Sequence, residues 1–353
     1  MLDYIIVGAG LSGIAAAEHL ISRGKKVMVF DDNSQASSTV AGGIYNPVIL
    51  KRFTLAWNAD EQLDAALFFY KHLEEKLHIS LIKDLPIYRR FHSVEEQNDW
   101  FSAMDKPTLS KFLDEKIVSS INKYIPSSFS FGHVKHTGVI NTKLLLEAYR
   151  DYLLSINAFQ EENFQYSEIK ITEEDCVYKK LQAKKIIFCD GFGLKKNPFF
   201  NYLPLQGNKG EYLIIKAKDL KLEVAVKASI FIIPLGNDLY KIGATYNNWD
   251  KTKVPTSEGK KYLLDRLNGF ITCKFEVVDQ IAGIRPATND RKPLVGQHPK
   301  LDKLYVCNGF GSRGVLIGPT VALNLIQNLE DSVELPSEID IFRYRSKYQE
   351  VPL

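Results

Sequence analysis

Of 353 residues, 45% are hydrophobic and 25% charged, a balance that suits a folded soluble chain with room for two domains and excludes a disordered one. Forty-five basic residues against 42 acidic leave a formal charge of only +3, so no long one-signed groove for nucleic acid is expected. Cys176, Cys189, Cys273 and Cys307 are scattered, with no CxxC pair and no clustered histidines. That pattern excludes a zinc site and a disulfide framework as readings.

The chain opens "MLDYIIVGAG", an apolar strand with no basic segment ahead of it. No uncharged apolar run reaches the roughly 18 residues of a membrane span, so a cytoplasmic protein is expected. "YIIV" reads as a buried strand, "GAGLSG" as a glycine turn, "IAAAEHLISRG" as a helix ending at Gly24, and "KKVMVF" as a second strand closing on Asp31. This is a βαβ unit. Apolar spacing predicts a helix from Asn58 to His78 behind an asparagine cap, and another from Asn141 to Ile156, with mixed, turn-rich sequence between them. Strand patterns then follow at "FQYSEIKI", "LQAKKIIFCDGFG", "GEYLIIKA", "ASIFIIPLG" and "LYKIGATYN", the last three reading as an antiparallel set. Strand "KLYVCNGFG" and helix "GPTVALNLIQNLE" repeat the strand, turn, helix order, and the polar segment after Pro336 reads as surface.

Gly8, Gly10 and Gly13 form GxGxxG between strand and helix. The first permits a tight turn, the second lets backbone approach a pyrophosphate, and the third lets helix and strand pack closely. The helix N-terminus favours the pyrophosphate, and Asp31, at the usual spacing of about 20 residues, suits a ribose hydroxyl. An acid there argues against a 2′-phosphate, leaving FAD or NAD. No second strand, GxGxxG, helix unit is present to dock NAD(P)H beside FAD.

The stretch "DNSQASSTVAGGIYNP" after the second strand resembles the D-amino-acid oxidase and glycine oxidase family of flavoproteins, as do "LQAKKIIFCDGFG", "LPLQGNKGEYLII", "YKIGATY", "AGIRPATNDRKPLVG" and "LYVCNGFGSRGVLIGP". The "NGFGSRG" turn is most similar to the oxidase half of the bifunctional enzymes that modify the tRNA wobble uridine, without their methyltransferase half. The resemblance implies an α/β fold (α+β overall) with a Rossmann-like FAD-binding domain at residues 1–84, 132–200 and 281–353. An antiparallel-sheet substrate domain, residues 85–131 and 201–280, would be inserted into it.

Carried over by position, the resemblance places Leu11 and Ser12 at the pyrophosphate and Asp31 and Asp32 at the adenosine ribose. Ser37, Ser38, Gly42, Gly43 and Ile44 fall on the flavin side, with Ile44 also facing substrate. Gly309, Phe310, Gly311, Gly314, Val315 and Leu316 would hold the pyrimidine edge, where a helix N-terminus suits the negative charge of reduced flavin. Relatives that attach flavin covalently use a cysteine after the substrate arginine, and "PATNDRKPLVGQHP" has none. Noncovalent FAD is therefore expected.

In the family, the arginine of "GIRP" binds the substrate carboxylate, which makes Arg285 the anchor here. A guanidinium fork matches a carboxylate and keeps its charge when partly buried. Tyr246 would cover the substrate, and some relatives carry a second substrate arginine at the position of Ser312, which makes Ser312 and Arg313 candidates too, with contact to flavin and an outward orientation the other readings of Arg313. His92, His133 and His136 lack metal spacing. The implied reaction is oxidation of the C–N bond of a small amino acid or N-substituted glycine by hydride transfer to flavin N5, with O2 or another acceptor reoxidising the flavin. No catalytic side chain is assigned, since positioning supplies the rate. A structural clamp is the other reading of Arg285; an NAD-dependent dehydrogenase and a noncatalytic flavin-binding subunit are the other readings of the chain. Oligomeric state is not readable.

Overall fold

The computed structural model of the protein describes residues 1–35 and 37–348. Short runs of β-branched and aromatic residues, buried on both faces, build one mixed sheet. Ile5 and Ile6 on strand Leu2–Val7, Ile186 to Phe188 on Leu181–Phe188, and Leu304 and Val306 on Leu304–Asn308 are all fully buried, as parallel strands covered by helices require. Five strands run parallel: Phe159–Glu161, Val27–Asp31, Leu2–Val7, Leu181–Phe188 and Leu304–Asn308. Antiparallel strands Ile169–Ile171, Cys176–Tyr178 and Leu294–Gln297 complete the sheet.

Helix Leu11–Ile21 crosses from the first strand to the second, and Gly314–Asp331 packs beside it. The second helix carries Pro319, which has no N–H for the carbonyl of Val315. The buried Tyr70 hydroxyl donates to that carbonyl instead at 2.9 Å, so the proline is tolerated one turn from the cavity. On helix Leu11–Ile21, facing helices Ala59–Leu77 and Thr142–Ser155, Glu18 is almost wholly buried. Burial alone would raise its pKa, but Lys76, His72 and Tyr149 all hydrogen-bond the carboxylate and hold it below the usual range.

The second large sheet, in spatial order Glu276–Thr288, Leu205–Lys216, Leu239–Gly243, Phe231–Gly236, Ala225–Lys227, Ile87–Arg90, Phe131–Val134 and Leu113–Val118, is antiparallel except where Ala225–Lys227 meets Ile87–Arg90. One face buries Leu213, Ile215, Ile232 and Ile242 against Leu263 and Leu267 of helix Ser257–Asn268. The strands at "GEYLIIKA", "ASIFIIPLG" and "LYKIGATYN" pair antiparallel, as read. The turn-rich stretch after His78 resolves into three strands of this sheet and helix Val94–Met104. Strands Phe131–Val134 and Glu276–Thr288 pair wholly within this sheet, and the boundaries drawn at 131/132 and 280/281 pass through them.

Two local expectations differ from the structure. Asn58 precedes helix Ala59–Leu77 in a left-handed conformation and its side chain makes no cap bond, whereas Asn141 accepts from Leu144 N–H as a true cap. Ile339 and Ile341, after Pro336, are buried rather than on the surface, because Val295 N–H donates to the carbonyl of Ile339 and draws the segment onto the sheet. Among the described residues, no helix is long and apolar enough to cross a membrane.

Candidate active site

A cavity of about 950 Å³ lies between the C-terminal ends of the parallel strands and one face of the antiparallel sheet, a volume that suits a dinucleotide-sized ligand with substrate beside it. Of the residues proposed from sequence, Gly13 alone does not line it. Gly8, Gly10, Leu11 and Ser12 form one wall, with Asp31, Asp32, Ser37, Ser38, Gly42, Gly43 and Ile44 beside them; Gly309, Phe310, Gly311, Ser312, Arg313, Gly314, Val315 and Leu316 form the wall adjoining the fingerprint helix, and Arg285 and Tyr246 also line the cavity.

At the fingerprint, Gly8 has φ +103°, a backbone most side chains avoid, and a Cβ there would collide with the carbonyl oxygen of Cys189. Gly13 is packed behind the turn, where a Cβ would collide with the Gly8 carbonyl. Asp31 accepts from Ala9 N–H and Asn33 N–H, both at 2.6 Å. One lone pair on each oxygen remains for a ribose hydroxyl. Asp32 accepts from Ser34 N–H. Ser12 Oγ donates to the Cys307 carbonyl at 2.5 Å, and Ser38 Oγ accepts from Leu11 N–H at 3.3 Å.

Both helix N-termini open onto the cavity, and Gly314 brings them together: a Cβ there would lie 3.3 Å from Leu11. Neither helix has an acidic residue in its first turn. The bare cradle, two positive dipole ends and unfilled glycine space fit a dinucleotide with a pyrophosphate at one helix and an anionic ring edge at the other. The loop before Gly42 is held from the antiparallel sheet by Lys241, whose Nζ donates to the carbonyls of Val40 and Ala41 at 3.0 and 2.9 Å. Burial pushes the Lys241 pKa down to about 8.

Sequence reading missed Asp190, which lines the cavity after strand Leu181–Phe188. Its Oδ2 accepts from Tyr166 and Asn197 at 2.9 and 3.0 Å, and Oδ1 is buried with no protein partner. Burial raises the pKa to about 6, opposed by those two hydrogen bonds. A carboxyl whose folded pKa lies above its unfolded value favours folding when protonated; that contribution is full below about pH 4 and lost above about pH 6. Asp190→Asn should therefore stabilise the protein by about 2 kcal/mol at pH 7.5 and by progressively less toward pH 4. Thermal unfolding of the two proteins across that range reads the difference; a gap that does not change with pH would show that the carboxyl titrates normally.

Arg285 Nη1 donates to Asn208 Oδ1 at 2.7 Å and to the Thr245 carbonyl at 3.4 Å. Its guanidinium lies against Gly210, where any Cβ would collide with it. Register sets this up: Asn208 pairs with Arg285 across the two long strands, and Gly210 with Gly283. Gly210 was findable, since an isolated glycine in a strand pattern marks a close approach. Asn208 and Thr245 carried no such signal. Tyr246 lines the mouth but is 72% exposed, so it stands at the rim rather than over a closed pocket. Ile44 is half-buried and Ser312 exposed. Among the described residues, no carboxylate comes within ion-pairing distance of Arg285.

The FAD dependent oxidoreductase family (DAO) matches residues 3–327. The tRNA 5-methylaminomethyl-2-thiouridine biosynthesis bifunctional protein of Legionella pneumophila (strain Lens) is 24% identical over 361 residues, covering 89% of this chain and 52% of that protein. The chain thus spans about half the length of these curated relatives. Glycine oxidase of Bacillus subtilis (strain 168) is 22% identical over 356 residues, covering 93% of this chain and 94% of that enzyme. Among solved structures, glycine oxidase from Geobacillus kaustophilus superposes with a TM-score of 0.80 at 20% identity, covering 99% of both chains. Iminodiacetate oxidase from Chelativorans sp. BNC1 gives 0.77 at 17% identity, covering 97% of this chain and 98% of that one.

Proposed function

The chain belongs to the DAO family of FAD-dependent oxidoreductases, and from that premise we propose that it oxidises the C–N bond of a small amino acid or N-substituted glycine held by its carboxylate on Arg285. One observation carries the reading: a half-buried guanidinium faces the cavity with amide and carbonyl acceptors but no described acid beside it. A charge in such a place calls for a counter-ion, and a substrate carboxylate supplies one. The lack of a described acid partner supports the anchor over the structural-clamp reading of Arg285, and family membership removes the NAD-dependent one.

FAD, when bound, supplies the two-electron acceptor and is itself reoxidised by O2 or another acceptor. Ser12, Leu11 and Gly10 would hold its pyrophosphate, Asp31 its ribose, and Gly309, Phe310, Gly311, Gly314, Val315 and Leu316 its pyrimidine edge. Among the described lining residues the one cysteine is Cys189, beside Gly8 at the nucleotide end, which supports a noncovalent cofactor. Asn208 and Thr245 fix one guanidinium nitrogen, leaving the rest of the fork to grip a carboxylate in one orientation. Such orientation turns a loose encounter into a near-attack geometry, with no acid or base needed beyond delivery of a neutral amine.

The test is anaerobic mixing of the purified yellow protein with glycine, N-methylglycine, proline and D- and L-amino acids. Bleaching near 450 nm by at least one of them is the expected result. Bound flavin that none of these compounds reduces would favour a noncatalytic flavin-binding subunit.

A further inference from the structure

The acids and bases lining the cavity are segregated. The four described acids, Asp31, Asp32, Glu162 and Asp190, gather at the fingerprint end: Asp31 binds Ala9 N–H, and Glu162 N–H donates to the Asp31 carbonyl. The four described cations, Lys51, Arg285, Arg291 and Arg313, lie toward the other end. One substrate carboxylate would neutralise Arg285 and leave the other cations facing the cavity.

Arg291 and Arg313 both line the cavity, from separate turns. Arg291 sits in a left-handed conformation, φ +59°, in the hairpin after Thr288, and Arg313 stands just before helix Gly314–Asp331 with no side-chain cap bond to it. The turns are locked together: Gly311 N–H donates to the Pro286 carbonyl at 2.8 Å, and Gly309 packs against Thr288 and Leu294. The nearby acids are committed elsewhere. Asp290 takes Tyr344, Arg343 and Lys292 N–H, while Glu338 takes Lys292 and Trp57. Among the described residues neither arginine has an acidic partner. Burial, and then the charge of Arg291, holds Arg313 below its ordinary pKa. Arg313 is half-buried and Arg291 exposed at the cavity mouth, and two like charges there, neither with an acidic partner among the described residues, suit an anion.

We infer that the substrate is an amine bearing two anionic groups: a carboxylate on Arg285 and a second anion, carboxylate or phosphate, on Arg291 and Arg313. The inference rests on the reading of Arg285 as carboxylate anchor. It narrows the substrate class from amino acids at large to acidic ones.

Matched pairs test it on the holoenzyme. N-ethylglycine is compared with N-(2-carboxyethyl)glycine, and serine with O-phosphoserine, the two arms separating carboxylate from phosphate. Propionate is compared with succinate as unreactive probes of binding, read from the flavin absorbance shift. The doubly anionic member of at least one reactive pair should bind about tenfold more tightly than its partner, the scale of one charge-assisted contact. That ratio should fall to near one in R291Q/R313Q, or partway in R291Q alone if the double variant folds poorly. Equal affinity within every pair on the wild type, or a ratio that survives R291Q/R313Q, would overturn the inference. If succinate shows the arginine-dependent preference but no amine reduces the flavin, the second anion site stands while the proposed oxidation, and with it the amine substrate, fails. If single-charge amines reduce it as well as their doubly charged counterparts, the reverse holds.

Discussion

Arg285→Lys should lower kcat/KM for the best amine substrate by about 100-fold or more, with flavin content unchanged. The guanidinium is fixed through Nη1 to Asn208 and Thr245 and rests on Gly210. Lysine keeps the charge but replaces a planar fork with a single ammonium, so a carboxylate can swing about one contact. Misplacing reacting atoms by about 1 Å costs on the order of 100-fold. The loss should therefore reach the first-order rate of flavin reduction at saturating substrate and not the dissociation constant alone. Anaerobic stopped-flow absorbance separates the two. A variant that binds weakly yet reduces at the wild-type rate would make Arg285 a tether without a positioning role. Equal behaviour in both constants would remove it from the site.

Arg285 was legible because its local sequence is incongruous: a permanent charge between Ile284 and Pro286 in an apolar run. The fingerprint was legible because glycine spacing, strand and helix reinforce one another within some 30 residues. What could not be read was assembled across distance. Asn208 meets Arg285 through a strand register, and Thr245 reaches it from a third strand's end. Asp190 acquires its raised pKa only from the burial that the assembled fold imposes, against the opposing hydrogen bonds of Tyr166 and Asn197. Arg291 looks like an ordinary turn residue until Gly309 and Gly311 bring the Arg313 turn against its hairpin. Asn58 shows the converse: its cap signal was local and strong, yet the left-handed backbone of the folded chain overrides it.

Gly13→Ala should yield a colourless protein, although Gly13 is the one fingerprint glycine that does not line the cavity. Its added Cβ meets the carbonyl oxygen of Gly8 and lies 3.5 Å from Cys189 Cβ. Neither neighbour can yield cheaply, since Gly8 N–H is bound to the Phe30 carbonyl at 2.7 Å and Cys189 N–H to the Val7 carbonyl at 2.7 Å. Relief must come from helix Leu11–Ile21, which shifts away from the strands and carries with it the N–H groups meant for the pyrophosphate. Overpacking of this kind costs about 2–4 kcal/mol of stability, and the displaced donors should weaken FAD binding by about 100-fold or more. Gly24→Ala is the control: it ends the same unit with φ +72° and open space around it. It should cost only about 1 kcal/mol through its backbone and purify yellow. Flavin absorbance per mole of protein, measured with thermal unfolding, distinguishes the outcomes. Stoichiometric FAD in the Gly13 variant would mean that the helix N-terminus does not position the pyrophosphate, and the role given to Leu11 and Ser12 would fall with it.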